Sequence, residues 1–113
     1  MGWEYSTQPF FDASVTATAE LARGRTTSVH TLEVQNPNAI DVYLQLFNAV
    51  AAANVTLGTT TPDQSYLIPG NGVSDKLFYT PLRFMLGLVY AVTTTATGST
   101  APGSAAVLNM GLS

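Results

Sequence analysis

Along most of the chain, apolar and polar residues alternate one by one, which puts successive side chains on opposite faces of an extended strand. From Val29 to Gln35, His30, Leu32 and Val34 fall on one face, with Thr31, Glu33 and Gln35 on the other. After Asn36-Pro37-Asn38-Ala39, residues Ile40, Val42, Leu44 and Leu46 share a face opposite Asp41, Tyr43, Gln45 and Phe47. Pro37 presets a turn φ and the asparagines beside it tolerate turn geometry, so this stretch predicts a hairpin. Phe47–Ala53 reads as a strand end running into a loop, and Val55–Asp63 as an extended connection that Pro62 keeps out of a central strand. Further strands are expected at Ser65–Ile68, Val73–Tyr79 and Ala105–Leu112. Pro69-Gly70-Asn71-Gly72 is a tight turn whose two glycines are free to take positive φ, and Thr93–Ser104 is a loop rich in Thr, Gly, Ser and Pro. Turn signals recur at the spacing of an all-β, antiparallel sandwich or barrel.

Two segments depart from simple alternation. Phe84–Val92 is apolar at nearly every position, which predicts one strand covered on both faces. The second face then needs a loop, an arm or a neighbouring subunit, and Phe84, Leu86, Leu88 and Tyr90 are the candidate contacts between copies. The first 25 residues hold Trp3, Tyr5, Phe10 and Phe11 around Pro9, then a possible strand at Val15–Leu21 and a turn at Arg23-Gly24-Arg25. The expected division is therefore an aromatic arm or extra strand over 1–25 and a sandwich domain over 26–113. The aromatics either cap the end of the sandwich or dock on another protein, since aromatic side chains dominate interface hot spots.

Composition sharpens this picture. Charged residues make up 10% of the 113 positions, against about a quarter in ordinary soluble domains, and polarity comes instead from 16 Thr and 8 Ser. Thr is β-branched and suits pleated sheets. Zero Cys excludes disulfide scaffolds, thiol catalysis and cysteine-ligated metals, and a single His excludes a multi-histidine centre within one chain. A net charge of -3 with four basic residues argues against nucleic acid as a partner. The longest apolar run is far shorter than a membrane-spanning helix, and no basic start with an apolar stretch marks a secretory signal, so a soluble, unlipidated protein is expected.

Catalytic signals are weak. A Ser-His-Asp arrangement would have to use His30, whose parity with Leu32 and Val34 favours a structural, hydrogen-bonded role, and no G-x-S-x-G elbow is present. Glu4, Asp12, Glu20, Glu33, Asp41, Asp63 and Asp75 are scattered, as solvated carboxylates are, and Gly70-Asn71-Gly72 lacks the Lys-Ser/Thr of a phosphate loop. The expectation is no enzyme, no cofactor and no metal. Low charge reduces self-repulsion and suits a protein packed against others.

The order Val42-Tyr43-Leu44-Gln45-Leu46-Phe47-Asn48, Val55-Thr56-Leu57-Gly58-Thr59-Thr60-Thr61-Pro62, Ser65-Tyr66-Leu67-Ile68-Pro69, Pro81-Leu82-Arg83-Phe84 and Gly87–Thr94 resembles small virion proteins of tailed bacteriophages. It is similar to head-decoration (cement) proteins and related sandwich modules on tails, over positions 30 to 112. That resemblance implies a jelly-roll-like sandwich of about seven to nine strands, no catalysis, and self-association as a homotrimer on the major capsid protein lattice. The protein would be made in the host bacterial cytoplasm and sit on the virion's capsid surface. Trp3, Tyr5, Phe10 and Phe11 would then face the shell. A tail- or fibre-associated module contacting host surface glycan is the alternative, and a small hydrolase with paired carboxylates a distant third.

Overall fold

A computed structural model describes residues 7–113. Eight strands form: β1 (Gln8–Val15), β2 (Glu20–Arg23), β3 (Thr27–Gln35), β4 (Val42–Asn48), β5 (Gln64–Ile68), β6 (Val73–Phe84), β7 (Leu88–Thr93) and β8 (Ala106–Leu112). They build two four-stranded sheets, ordered β1-β8-β3-β6 and β2-β7-β4-β5. Every pairing is antiparallel. Only the β4–β5 connection stays within one sheet, and every other link crosses to the opposite layer. This is the eight-stranded jelly roll, an all-β antiparallel sandwich.

The alternation seen in the sequence is what fills the core. Ala106, Leu108, Met110 and Leu112 of β8 point inward, as do Val42, Leu44 and Leu46 of β4, and all are buried. Complete burial of each Leu or Val contributes about 1.5–3 kcal/mol relative to exposure. The open margins of the sandwich are closed by aromatics. Phe10 meets Tyr90 edge-on with ring centroids 5.5 Å apart, and at the other margin Tyr66 lies 6.3 Å from Phe78 with Lys76 Nζ 5.0 Å above the Tyr66 ring.

Several local expectations change. Asn36–Ala39 is not a hairpin but a corner, because β3 belongs to one sheet and β4 to the other. The Asn36 side chain holds it: Nδ2 donates to the carbonyls of Ile40 (2.9 Å), Ile68 (3.2 Å) and Pro69 (3.1 Å), and Oδ1 accepts from the Asn38 amide (2.9 Å). In the Pro69–Gly72 turn, Asn71 takes the positive φ (54°), not the flanking glycines. A β-bulge at His30 shifts the register between Val29 and Thr31, so Val29 fills the core with Leu32 and Val34 while His30 leaves the inward row. The same irregularity lets β6 run on through Pro81 to Phe84.

The Phe84–Val92 segment is not one strand. Phe84 ends β6, Met85 and Leu86 bend across the end of the sandwich, and Leu88 starts β7 in the other sheet. Gly87 sits where a Cβ would lie 2.5 Å from the Ala49 carbonyl oxygen and 2.6 Å from that of Arg23, so the bend admits no side chain. The segment ahead of residue 26 supplies β1, paired to β8, and β2, paired to β7, with the strand expected at Val15–Leu21 replaced by these two edge strands.

Candidate functional site

The two outer faces of the sandwich are unlike. On the β2-β7-β4-β5 sheet, Val89, Ala91, Thr93, Gln45 and Phe47 point away from the core and are nonetheless buried. The chain covers them itself. Residues 49–63 lay Ala49 and Val55, with Leu57, onto Phe47 and Val89. Residues 94–105 are tied down by Gln45 Nε2, which donates to Thr93 Oγ1 (2.6 Å) and the Gly98 carbonyl (3.1 Å), and by Ser65 Oγ, which donates to the Ala96 carbonyl (2.7 Å). The second cover that β7 required is thus intramolecular.

Among the described residues, nothing covers the outer face of β1-β8-β3-β6. Strand register sets its side chains in rows: Pro9, Gly111, Thr31 and Leu77 in one, and Phe11, Asn109, Glu33 and Asp75 in the next. Gly111 lowers the floor between Pro9 and Thr31, and a Cβ there would lie 2.7 Å from Thr31 Oγ1. The result is an open trough of about 670 Å³. Asn109 Nδ2 donates to Glu33 Oε1 (3.2 Å) on its floor. Phe11 is 62% exposed, Leu77 68% and Tyr79 96%, with Val73 also exposed farther along β6. Exposed aromatic and branched apolar side chains are thus grouped on one face.

The candidate contact residues separate sharply. Phe84, Leu88 and Tyr90 belong to the core and are not available to another copy, and of that group Leu86 alone is exposed. The apolar run marked burial, and burial inside the molecule uses them up. Phe10 is half-buried against Tyr90, whereas Phe11 points outward from the same strand, as alternation requires. Trp3 and Tyr5 lie outside the described residues. Leu77 and Tyr79 were not singled out from the sequence, although their alternation with Val73 and Asp75 on a strand is the signal that would have found them.

The polar chemistry is local. Tyr90 Oη donates to Asp12 Oδ2 (2.6 Å), and burial first, then this bond and the charges of Asp12 and Glu20, hold the phenol well above its ordinary range. Burial likewise raises the Tyr66 phenol, and burial together with nearby Arg25 lowers the Arg23 guanidinium. His30, out of the inward row, has its Nε2 hydrogen-bonded to Ser113 Oγ at 2.7 Å on the exposed surface. Among the described residues no three His, Asp or Glu side chains gather as a metal site, and no helix is long and apolar enough to cross a membrane. Comparison with known protein families, with characterised proteins and with solved structures returns no match.

Proposed function

We propose that this protein is a non-enzymatic structural component of a bacteriophage virion, a decoration or cement protein that binds the outer face of the assembled head and bridges neighbouring subunits of the major capsid protein. One observation carries the reading: the chain covers one sheet with its own loops and leaves the other bare, with Phe11, Leu77 and Tyr79 exposed. The sequence resemblance supplies the setting, and the jelly roll agrees with it, although the fold alone hosts many functions. A cement protein has no reaction to run. It stabilises the shell by mass action because it binds the lattice and not the free subunits, and repeated sites add through effective concentration. Phe11, at the β1 margin next to the aromatic leader, is the side chain assigned to the shell.

The trough favours a second reading in one respect. Phe11 beside Asn109, Glu33 and Asp75 offers an apolar ring and hydroxyl acceptors together, which suits a tail or fibre module touching host glycan. Immunogold labelling of the virions, with antibody raised against the purified chain, separates the two. Gold on heads supports the decoration role, gold confined to tails supports the glycan module, and unlabelled virions that lack the chain on a denaturing gel overturn both.

A further inference from the structure

The β6 strand presents a self-complementary row. Its outward side chains in order are Val73, Asp75, Leu77 and Tyr79, and beyond the bulge Arg83, which is exposed and paired in register with Ser28. Asp75 stands four residues before Tyr79 and Arg83 four residues after it. The acid end of the row is reinforced by Glu33, the register partner of Asp75, so the face is negative at one end and positive at the other. Between those ends are the two most exposed large apolar side chains of the described residues, Tyr79 at 96% and Leu77 at 68%.

We propose that two copies of this chain associate through this row as an isologous dimer. A two-fold axis running across β6 at Tyr79 reverses one strand over the other, and each surface patch then meets itself. Asp75 of each copy faces Arg83 of its partner, Tyr79 packs on its own counterpart at the axis, and Leu77 lies over the partner's Pro81. The contact is face on face, not an extension of the sheet edge. Pro81 has no N–H to give to a ladder, and the register break between Leu77 and Leu82 interrupts strand pairing. Sheet twist makes the two molecules diverge away from the axis. Phe11, on the strand three places across and so about 14 Å away, remains free for other contacts. This inference stands whether or not the protein belongs to a virion.

The test is sedimentation equilibrium of the intact chain, with circular dichroism as the check on folding. Wild type is expected to dimerise in the micromolar range, more weakly at high salt because the flanking pairs are exposed. Tyr79→Ala should weaken association by about tenfold or more. Asp75→Arg and Arg83→Asp should each weaken it, and the double exchange Asp75→Arg/Arg83→Asp should restore it. These are exposed positions, so the variants retain the sandwich. A wild type that stays monomeric at 100 times the micromolar scale (about 0.1 mM), a trimer, or a double exchange no better than either single one would each overturn the proposal.

Discussion

Single side chains decide whether the two sheets close on each other. Asn36 is buried and holds three carbonyls from two parts of the chain, Ile40 and the consecutive Ile68 and Pro69, so its loss leaves backbone acceptors dry and unpaired. At about 1–3 kcal/mol for a buried group left unsatisfied, Asn36→Ala is expected to cost roughly 3 kcal/mol. Urea unfolding should show this as a lower midpoint at unchanged slope, and Gln35→Ala, at an exposed neighbour, should shift it by less than about 0.5 kcal/mol. Tyr90 makes a pH-dependent contribution. Burial and the bond to Asp12 hold its folded phenol above the ordinary value of about 10, so the unfolded chain releases the proton first as pH rises. Stability from this group is complete below pH 10 and is lost progressively as pH climbs from there towards the folded value. Tyr90→Phe should therefore be less stable at neutral pH, through the lost bond to Asp12, and show a flatter decline under alkaline conditions. Equal alkaline slopes for the two proteins would show that burial of this phenol has no energetic consequence.

At the scale of elements, the loop over residues 94–105 acts as a lid tied down by Gln45, Ser65 and Asn38. Gln45 Nε2 reaches Thr93 Oγ1 and the Gly98 carbonyl, while its Oε1 is buried without a partner among the described residues. Gln45→Leu removes an unsatisfied acceptor and a tether together, so its net cost to global stability should be under about 1.5 kcal/mol. The loop itself should loosen, and hydrogen exchange at Thr94–Ser104 should rise several-fold while exchange in β4 and β7 holds. Unchanged exchange in the loop would mean that Ser65 and Asn38, which bond the Ala96 and Ser104 carbonyls, suffice to hold it. The same elements show what a linear pattern reveals. Alternation located β3, β4, β5 and β8, because inward and outward positions differ by one residue whatever the strand pairs with. It could not tell a hairpin from a corner at Asn36–Ala39, since both need the same turn residues and differ only in which sheet receives the next strand. Phe84–Val92 read as one ribbon because Met85 and Leu86 extend the apolar run straight across a bend. The exposed apolar face was half legible for a related reason: apolar runs point to the core, whereas Leu77 and Tyr79 sit among Asp75, Lys76 and Thr80 and look like ordinary edge-strand surface.

Over the described residues the molecule is an asymmetric slab, with one sheet sealed by the chain's own loops and the other left uncovered by them. A monomer made only to be soluble would carry charge on that bare sheet, yet Glu33 and Asp75 share it with Phe11, Leu77 and Tyr79. If the shell is what Phe11 meets, binding must show up as stability of the shell. A ligand present at 100 times its dissociation constant adds about 2.7 kcal/mol per site to the state it binds. Virions depleted of this protein should then release their genome at a lower temperature than intact ones, as read by a dye that brightens on freed DNA. Adding back the wild-type chain should restore the original transition, and the Phe11→Asp chain should not, because a carboxylate would have to be buried at the contact. Since Phe11 is exposed, the variant keeps its fold and the comparison isolates docking. Full protection by Phe11→Asp would move the shell contact away from the β1 margin, and equal release temperatures with and without the protein would remove the cement role while leaving the two-fold contact on β6 to be judged on its own measurement.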